Sequence, residues 1–292
     1  MIVITAPTGQ IGRQLLERLV NNDADGIRVI ARDPSRLSSR VRERVQIIQG
    51  SHSDLGVLSR ALAGADQVFW LVPPVPSAPS VEDHFLAFTN PFCEAIATRG
   101  VQRVVAVSAL GRGVAKNAGH VSVSLAMDEQ IEKTGVSYRS LEMPGFMENM
   151  LQQIEPIKNQ GTVFAAVSGD HKLPTCATRD IAAVAAELLL DDSWSGQEGV
   201  PILGPEDLSY NDMAQIMSDV LERPIRFQQI PVETYKATLI EHGLSQAWAQ
   251  GLADMTTEIG QGLFGAAPRT LESTTPTTFR QWCEEVLKPA IA

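Results

Sequence analysis

From residue 2 to residue 142 short apolar runs alternate with amphipathic stretches, and this alternation constrains the fold more than any other feature. The strand candidates are Ile2–Thr5, Ile27–Ala31, Val45–Gln49, Gln67–Leu71, Arg103–Ser108 and Tyr138–Glu142. Between them lie helical candidates at Ile11–Val20, Asp54–Leu62, Glu82–Arg99 and Val123–Thr134. Strands separated by helices pair in parallel through right-handed crossovers. Runs such as QVFWLV and VVAVSA are nearly continuously apolar, as strands are when helices cover both faces of a sheet. The pattern predicts an α/β protein with a Rossmann-type, doubly wound parallel sheet.

After Glu142 the rhythm changes. Proline and glycine break the chain in MPGFMENM, and short strand candidates follow at Val163–Val167 and Val200–Leu203. A helix is expected over Asp180–Leu190 with Asp180 as its N-cap, and others near Tyr210–Leu221, Val232–His242 and Thr277–Leu287. The expected organisation is a cofactor-binding domain over residues 1–150 and a smaller, mostly helical substrate-binding part over 151–292. That second part should pack at the carboxyl edge of the sheet, with some segments returning to the first domain. Pro73–Ser80 is the proline-rich loop of the chain.

The formal net charge of −10 argues against binding nucleic acid, whose phosphates repel an acidic surface. The basic run Arg36–Arg44 reads as a solvated turn. No apolar run reaches the roughly 20 residues that span a bilayer, and the chain opens on a strand rather than on a charged and then apolar leader. Cys93, Cys176 and Cys283 are far apart and form no ligand pair, so no metal is expected. Reduced, mostly buried thiols fit a cytoplasmic protein. His52, His84 and His171 lack partners at metal spacing and read as surface or loop residues, and Trp70 reads as core.

In a doubly wound sheet the ligand lies beyond the carboxyl ends of the strands, and the first βα turn holds a phosphate. Here that turn is Ala6-Pro7-Thr8-Gly9-Gln10-Ile11-Gly12. Two glycines three apart are a weak signal alone, but their place between the first strand and the first helix strengthens it. The second strand ends in Ala31-Arg32-Asp33-Pro34-Ser35-Arg36. An acidic residue at this place would hold the ribose diol of NAD. Arg32 stands there instead, and its forked donors suit a 2′-phosphate, with Arg36 as a second cation. The alternative is a solvated turn in which Arg32 and Asp33 pair. The expected cofactor is NADP(H).

These residues resemble the NmrA-like family, a branch of the atypical short-chain dehydrogenases/reductases. The loop APTGQIG is similar to that family's glycine loop, and VIARDPSRL to its second-strand arginine motif. FWLVPP resembles its fourth-strand end, VVAVSALG its fifth strand, and MPGFMEN the signature after strand six. GPEDLSYNDMAQIMSDVLERPIRF resembles its C-terminal segment, so the likeness spans nearly the whole chain. The resemblance implies NADP(H) in the crevice, held by the loop Ala6 to Gly12, by Arg32 and Arg36, by Leu71, Val72 and Pro73, by Ser108, and by Pro144, Gly145 and Phe146. It also implies that Phe146 and Met147 form an apolar wall at the nicotinamide, with Asn149 facing substrate. Some members of the family are NADPH-dependent quinone reductases, and others sense nucleotides and regulate transcription.

Three departures from the family pattern matter. Ala6 replaces the first glycine, which a negative φ would tolerate. Ser51 stands where relatives carry an aspartate. The Tyr-x-x-x-Lys pair of short-chain dehydrogenases is missing, with Ser124 in the place of a lysine. Carbonyl reduction needs a proton donor as well as a hydride, whereas a quinol oxygen is acidic enough for water to serve. Ser108 either polarises a substrate oxygen or caps the following loop. His120, after GRGVAKNAGH, is either the titrating residue of the site or an exposed loop histidine. Glu148 either joins the site or makes a structural connection.

The expected function is an NADP(H)-dependent oxidoreductase reducing a quinone-like or conjugated carbonyl small molecule. The alternatives are a non-catalytic NADP(H) sensor and a non-redox biosynthetic enzyme on the same fold. The expected partner is a small-molecule substrate, without nucleic acid or membrane, and a homodimer or a regulatory protein partner stays open.

Overall fold

The computed structural model describes residues 1–291. The strands are β1 (Ile2–Ile4), β2 (Ile27–Ala31), β3 (Gln46–Gln49), β4 (Gln67–Trp70), β5 (Arg103–Ala109), β6 (Ser137–Met143), β7 (Gly145–Phe146), β8 (Thr162–Ala165), β9 (Leu173–Cys176), β10 (Gln197–Pro201), β11 (Asp207–Leu208) and β12 (Arg226–Gln229). The helices are α1 (Gln10–Asn21), α2 (Ser39–Arg42), α3 (Leu55–Ala61), α4 (Val81–Arg99), α5 (His120–Glu132), α6 (Ile154–Gln160), α7 (Thr178–Leu190), α8 (Tyr210–Leu221), α9 (Val232–Glu241), α10 (Gln246–Gly260), α11 (Phe279–Trp282) and α12 (Lys288–Ile291).

Seven strands form one parallel sheet in the order β10-β6-β5-β4-β1-β2-β3. The order turns back at β1, so the crevice between the ends of β1 and β4 is the switch point where such sheets bind ligands. Side chains alternate across each strand. Val105 faces α1 and α7, meeting Leu15, Leu19, Ile181 and Ala185. Val104 and Ala106 face α3, α4 and α5, meeting Leu58, Phe92 and Ile131. Trp70 is fully buried on that second face and stacks on Phe92 with ring centroids 3.7 Å apart. Helix α1 buries Ile11, Leu15, Leu16, Leu19 and Val20, a stripe at helical spacing, and each large side chain so buried stabilises the fold by roughly 1.5–3 kcal/mol.

The later chain is more interwoven than its pattern suggests. Gln197–Pro201 joins β6 as the seventh strand. Two small sheets, β11-β9-β7 and β12-β8, lie outside the expected pattern. Helix α7 begins at Thr178 with Ala177 as N-cap, so Asp180 is not the cap. Asp180 is buried in the first turn and accepts hydrogen bonds from the N–H and Oγ1 of Thr277 at 3.0 and 2.7 Å. Thr278 caps the last helix through the Gln281 N–H, so the helix starts at Phe279 rather than Thr277, and it then passes into a π-helical turn over Cys283–Leu287. Among the described residues no helix is long and apolar enough to cross a membrane.

Candidate cofactor crevice and active site

The chain leaves β1 through Thr5, which is buried and ties β1 to β4. Its N–H and Oγ1 both donate to the Phe69 carbonyl, and Oγ1 accepts the Leu71 N–H at 3.0 Å. Ala6 then turns the backbone at φ +47°, the left-handed region. The negative φ that would tolerate a methyl there is not what the chain adopts: Ala6 occupies the region that favours glycine. Ala6 offers its carbonyl to Gly9 N–H at 3.1 Å. Gly9 is the N-cap of α1 and has no side chain to cap the helix. Among the described residues the N–H groups of Gln10, Ile11 and Gly12 have no partner, and the first turn of α1 holds no acidic residue. Free N–H groups at a helix start, with no carboxylate competing, fit the pyrophosphate of a dinucleotide.

Arg32 follows β2 directly and is exposed. Asp33 does not pair with it. The Asp33 carboxylate caps the short helical turn Pro34–Arg36, accepting from Ser35 N–H at 3.0 Å and Ser35 Oγ at 2.6 Å. Those bonds hold its pKa below the ordinary value. Among the described residues neither Arg32 nor Arg36 has an acidic partner within salt-bridge distance. Two unpaired guanidinium groups beside the first turn fit a 2′-phosphate. Ser51 Oγ lies 2.8 Å from Ser53 Oγ and accepts the Ser53 N–H, so it is turned into its own loop.

Leu71, Val72 and Pro73 leave β4 half-buried at the crevice. The Leu71 carbonyl is held at 3.0 Å by Nε2 of His52. His52 is not a surface residue: it is 6% exposed and lies against Trp70 and Phe88. Burial pulls its pKa down to about 4, helped by the charge of Arg32 and opposed by the Leu71 bond. His84 is half-buried, with Nε2 2.8 Å from the Pro73 carbonyl.

Helix α10 reaches across to this loop. Ser245 caps α10 through Trp248 N–H and donates to the Ala78 carbonyl, while its own N–H donates to Pro76. Trp248 packs on Ala78 and Val81 and lies between the rings of His84 and His120, at 5.7 and 4.8 Å. His120 Nε2 is 3.2 Å from the Trp248 carbonyl, which requires the proton on that nitrogen. Burial lowers its pKa. His120 is therefore neither exposed nor free: it is a neutral tie between α5 and α10. Ser124 also gives its proton away, to the His120 carbonyl at 3.0 Å.

Ser108 sits at the carboxyl end of β5, on the α5 side of the sheet. It is 7% exposed, and its hydroxyl donates to Asp128 of α5 at 2.6 Å. Asp128 is fully buried and also accepts from Tyr138 at 2.6 Å, Ser140 at 2.8 Å and Arg112 at 3.1 Å. Arg112 forks further onto Glu132 and Glu142, each at 3.0 Å. Burial raises the pKa of Asp128 to about 6 against the opposing pull of those hydrogen bonds and of Arg112. Ser108 thus caps no loop.

In the PGFMEN turn, Pro144 is buried, and Gly145 and Phe146 are half-buried and paired with Thr175 and Cys176. Met147 departs from its expected place at the nicotinamide. It is 2% exposed inside a C-terminal core with Met150, Ile157 and Met217. Asn149 is exposed. Glu148 is structural: its carboxylate accepts the N–H and Oγ1 of Thr178 at the start of α7, where a negative charge is favoured. Gln14 of α1 donates to the same Thr178 hydroxyl. Among the described residues no group of His, Cys, Asp and Glu could hold a metal ion. A groove of about 250 Å³ lies between α4 and α5, lined by Phe85, Leu86, Val123 and Met127, away from the crevice.

The NmrA-like family model matches residues 1–281. The chain belongs to the NmrA-like family. It is 32% identical over 243 residues to a (4-alkanoyl-5-oxo-2,5-dihydrofuran-3-yl)methyl phosphate reductase of Streptomyces griseus, covering 82% of this chain and 80% of that one. It is 26% identical to an NAD(P)H azoreductase of Xenophilus azovorans, over 87% of this chain and 86% of the relative. Among solved structures it superposes on an NADPH-dependent quinone oxidoreductase of Escherichia coli in complex with NADPH. There the TM-score is 0.83 at 20% identity, covering 98% of this chain and 100% of the other.

Three features of this NmrA-like crevice escape the sequence pattern. His52 lies in a polar stretch, GSHSD, and only the tertiary contact with Leu71 makes it part of the crevice floor. The α10 clamp joins residues about 170 apart, Ala78 and Ser245, with no local signal. Asp128 hides beside exposed Glu129 in MDEQ, yet helical spacing from Val121 and Ile131 puts it on the buried face of α5. That spacing is a signal that could have found it.

Proposed function

We propose that the protein is an NADP(H)-dependent oxidoreductase that reduces a quinone-like or conjugated carbonyl small molecule. The single observation that carries the reading is the pair of unpaired guanidinium groups, Arg32 and Arg36, beside a helix start with three free N–H groups. Family membership and reductase relatives support it.

The backbone of Gln10, Ile11 and Gly12 receives the pyrophosphate, and Arg32 and Arg36 receive the 2′-phosphate. Leu71, Val72 and Pro73 form one wall of the crevice, and Pro144, Gly145 and Phe146 form the other. When bound, NADPH supplies a hydride. The clamp of Ser245, Trp248, His84 and His120 holds α10 across the β4 loop and keeps water from the reacting face. His120 acts there as a neutral positioning group. The crevice offers no tyrosine–lysine pair to protonate a strongly basic alkoxide, so it suits acceptors whose reduced oxygen is acidic.

Titration with NADPH and with NADH, followed by nicotinamide fluorescence, tests the cofactor half of this reading. A panel of quinones, enones and azo dyes then tests the acceptor half. Substrate-dependent loss of NADPH absorbance is the expected result. Tight NADPH binding without turnover of any acceptor would instead favour a nucleotide sensor, a reading that the engaged side chains of His120 and Ser124 support.

A further inference from the structure

Asp128 is the most deeply buried carboxyl group of the α5 side, and the crevice reading above gives it no task. Its surroundings are specific. Two serine hydroxyls and a phenol point their protons at it, and Arg112 closes the fourth side at 3.1 Å. The other charged groups near it are Glu132 on α5 and Glu142 on β6, and both are paired with the same Arg112. Arg112 is 37% exposed and Glu132 24%, so the network touches solvent on that side. On the opposite side it ends at Ser108, at the carboxyl end of β5.

A hydroxyl has one proton and two lone pairs. While Ser108 donates to an ionised Asp128, it presents only an acceptor to the crevice. Once Asp128 carries a proton, that proton can point at Ser108 Oγ, and the Ser108 hydrogen is released toward the crevice. The ionisation of Asp128 therefore sets whether Ser108 accepts or donates.

We propose that Asp128 is a positioning residue that stores the proton which Ser108 delivers to the reduced acceptor oxygen. The proposal rests on the NADP(H)-linked reductase reading. The step balances. Two electrons and a hydrogen reach the acceptor as hydride, and its oxygen becomes an anion. That oxygen takes the Ser108 hydroxyl hydrogen, and the O–H bond of Ser108 breaks. Ser108 Oγ takes the Asp128 carboxyl proton. Asp128 is left as a carboxylate facing Arg112, and the product hydroxyl donates to Ser108. That end state has the Ser108-to-Asp128 hydrogen bond found in the structure. A proton from water at the exposed Arg112 edge restores the starting state. Burial, which raises the pKa of Asp128 to about 6, keeps the store usable close to neutral pH.

The test uses the full chain with NADPH and 2-cyclohexen-1-one, a conjugated carbonyl whose reduced oxygen is more basic than a quinol's and is served less well by water, in the wild type and in Ser108→Ala, Ser108→Thr, Ser140→Ala and Asp128→Asn. In the wild type kcat should fall as pH rises through the titration of Asp128. Ser108→Ala should lower kcat by about 100-fold with little change in KM and flatten the profile, and Ser108→Thr should restore both. Ser140→Ala removes a donor to the carboxylate and should move the break to higher pH. Infrared spectra of the protein without cofactor should show a protonated-carboxyl carbonyl stretch that titrates in the same range and is missing in Asp128→Asn. This last reading does not depend on turnover. An active wild type whose rate and pH profile survive Ser108→Ala overturns the proposal. So does a carboxyl band that is unchanged in Asp128→Asn. A wild type that oxidises no NADPH with any acceptor overturns the reductase reading instead.

Discussion

A Cβ placed on Gly12 would lie 2.2 Å from the carbonyl oxygen of Ala6. The first turn of α1 thus rests on the backbone that leaves β1, with no room for a methyl group. The same carbonyl holds Gly9 N–H. Gly12→Ala should therefore push α1 away from the loop. We expect a loss of stability of about 1–3 kcal/mol, as for overpacked sites, and NADPH binding weakened at least tenfold. Urea unfolding with and without NADPH measures both. Unchanged stability and affinity would mean that the loop yields freely.

Ala6 is the converse case. Its φ of +47° costs a residue with a Cβ roughly 1 kcal/mol, and glycine relieves that cost. Ala6→Gly should raise stability by about 0.5–1 kcal/mol, visible as a higher urea midpoint. A midpoint that drops would show that the freedom glycine adds to the unfolded chain outweighs the strain.

Arg32→Ala should weaken NADPH binding by about 10–100-fold, the worth of a lost charge-assisted contact, and leave NADH binding almost unchanged. Parallel fluorescence titrations of the two nucleotides decide it. Equal losses for both would remove the 2′-phosphate from this place.

His52 makes the protein sensitive to acid. Its pKa in the folded state lies near 4, below the ordinary value of 6.5. The unfolded chain therefore binds the proton first as pH falls. Stability from this residue is complete above pH 6.5 and is lost between 6.5 and about 4, by about 3 kcal/mol in full. His52→Gln keeps a donor for the Leu71 carbonyl without the titration. The stability difference between wild type and variant should shrink or reverse as pH drops through that window, which denaturant curves at several pH values would reveal.

The parallel sheet was legible because its strands are largely apolar on both sides, and a run such as Val104–Val107 within the expected strand Arg103–Ser108 leaves little choice of partner. The places of the first turn, after β1, and of Arg32, after β2, were legible because both sit at fixed offsets from strand ends. What the sequence hid depends on long-range contact. Met147 looks like a wall beside Phe146, but the 3₁₀ turn over Met147–Gln153 rotates it into the C-terminal core. His120 looks like a free loop histidine because α10 lies more than a hundred residues away. The N-cap expected of Asp180 failed because Thr277, nearly a hundred residues later, binds its carboxylate more fully than its own helix could.

The seventh strand has a consequence for how the chain comes into being. Residues that form the cradle are made before α7 and β10, yet α7 covers α1 and β10 covers the edge of β6. A nascent chain halted near residue 150 would carry Leu15 and Leu19 on a bare helix face and β6 as an open edge. The cradle thus becomes a firm structure only after about fifty more residues have left the ribosome. Until then the growing chain carries a bare apolar helix face and an open strand edge, and NADP(H) has no finished place to land.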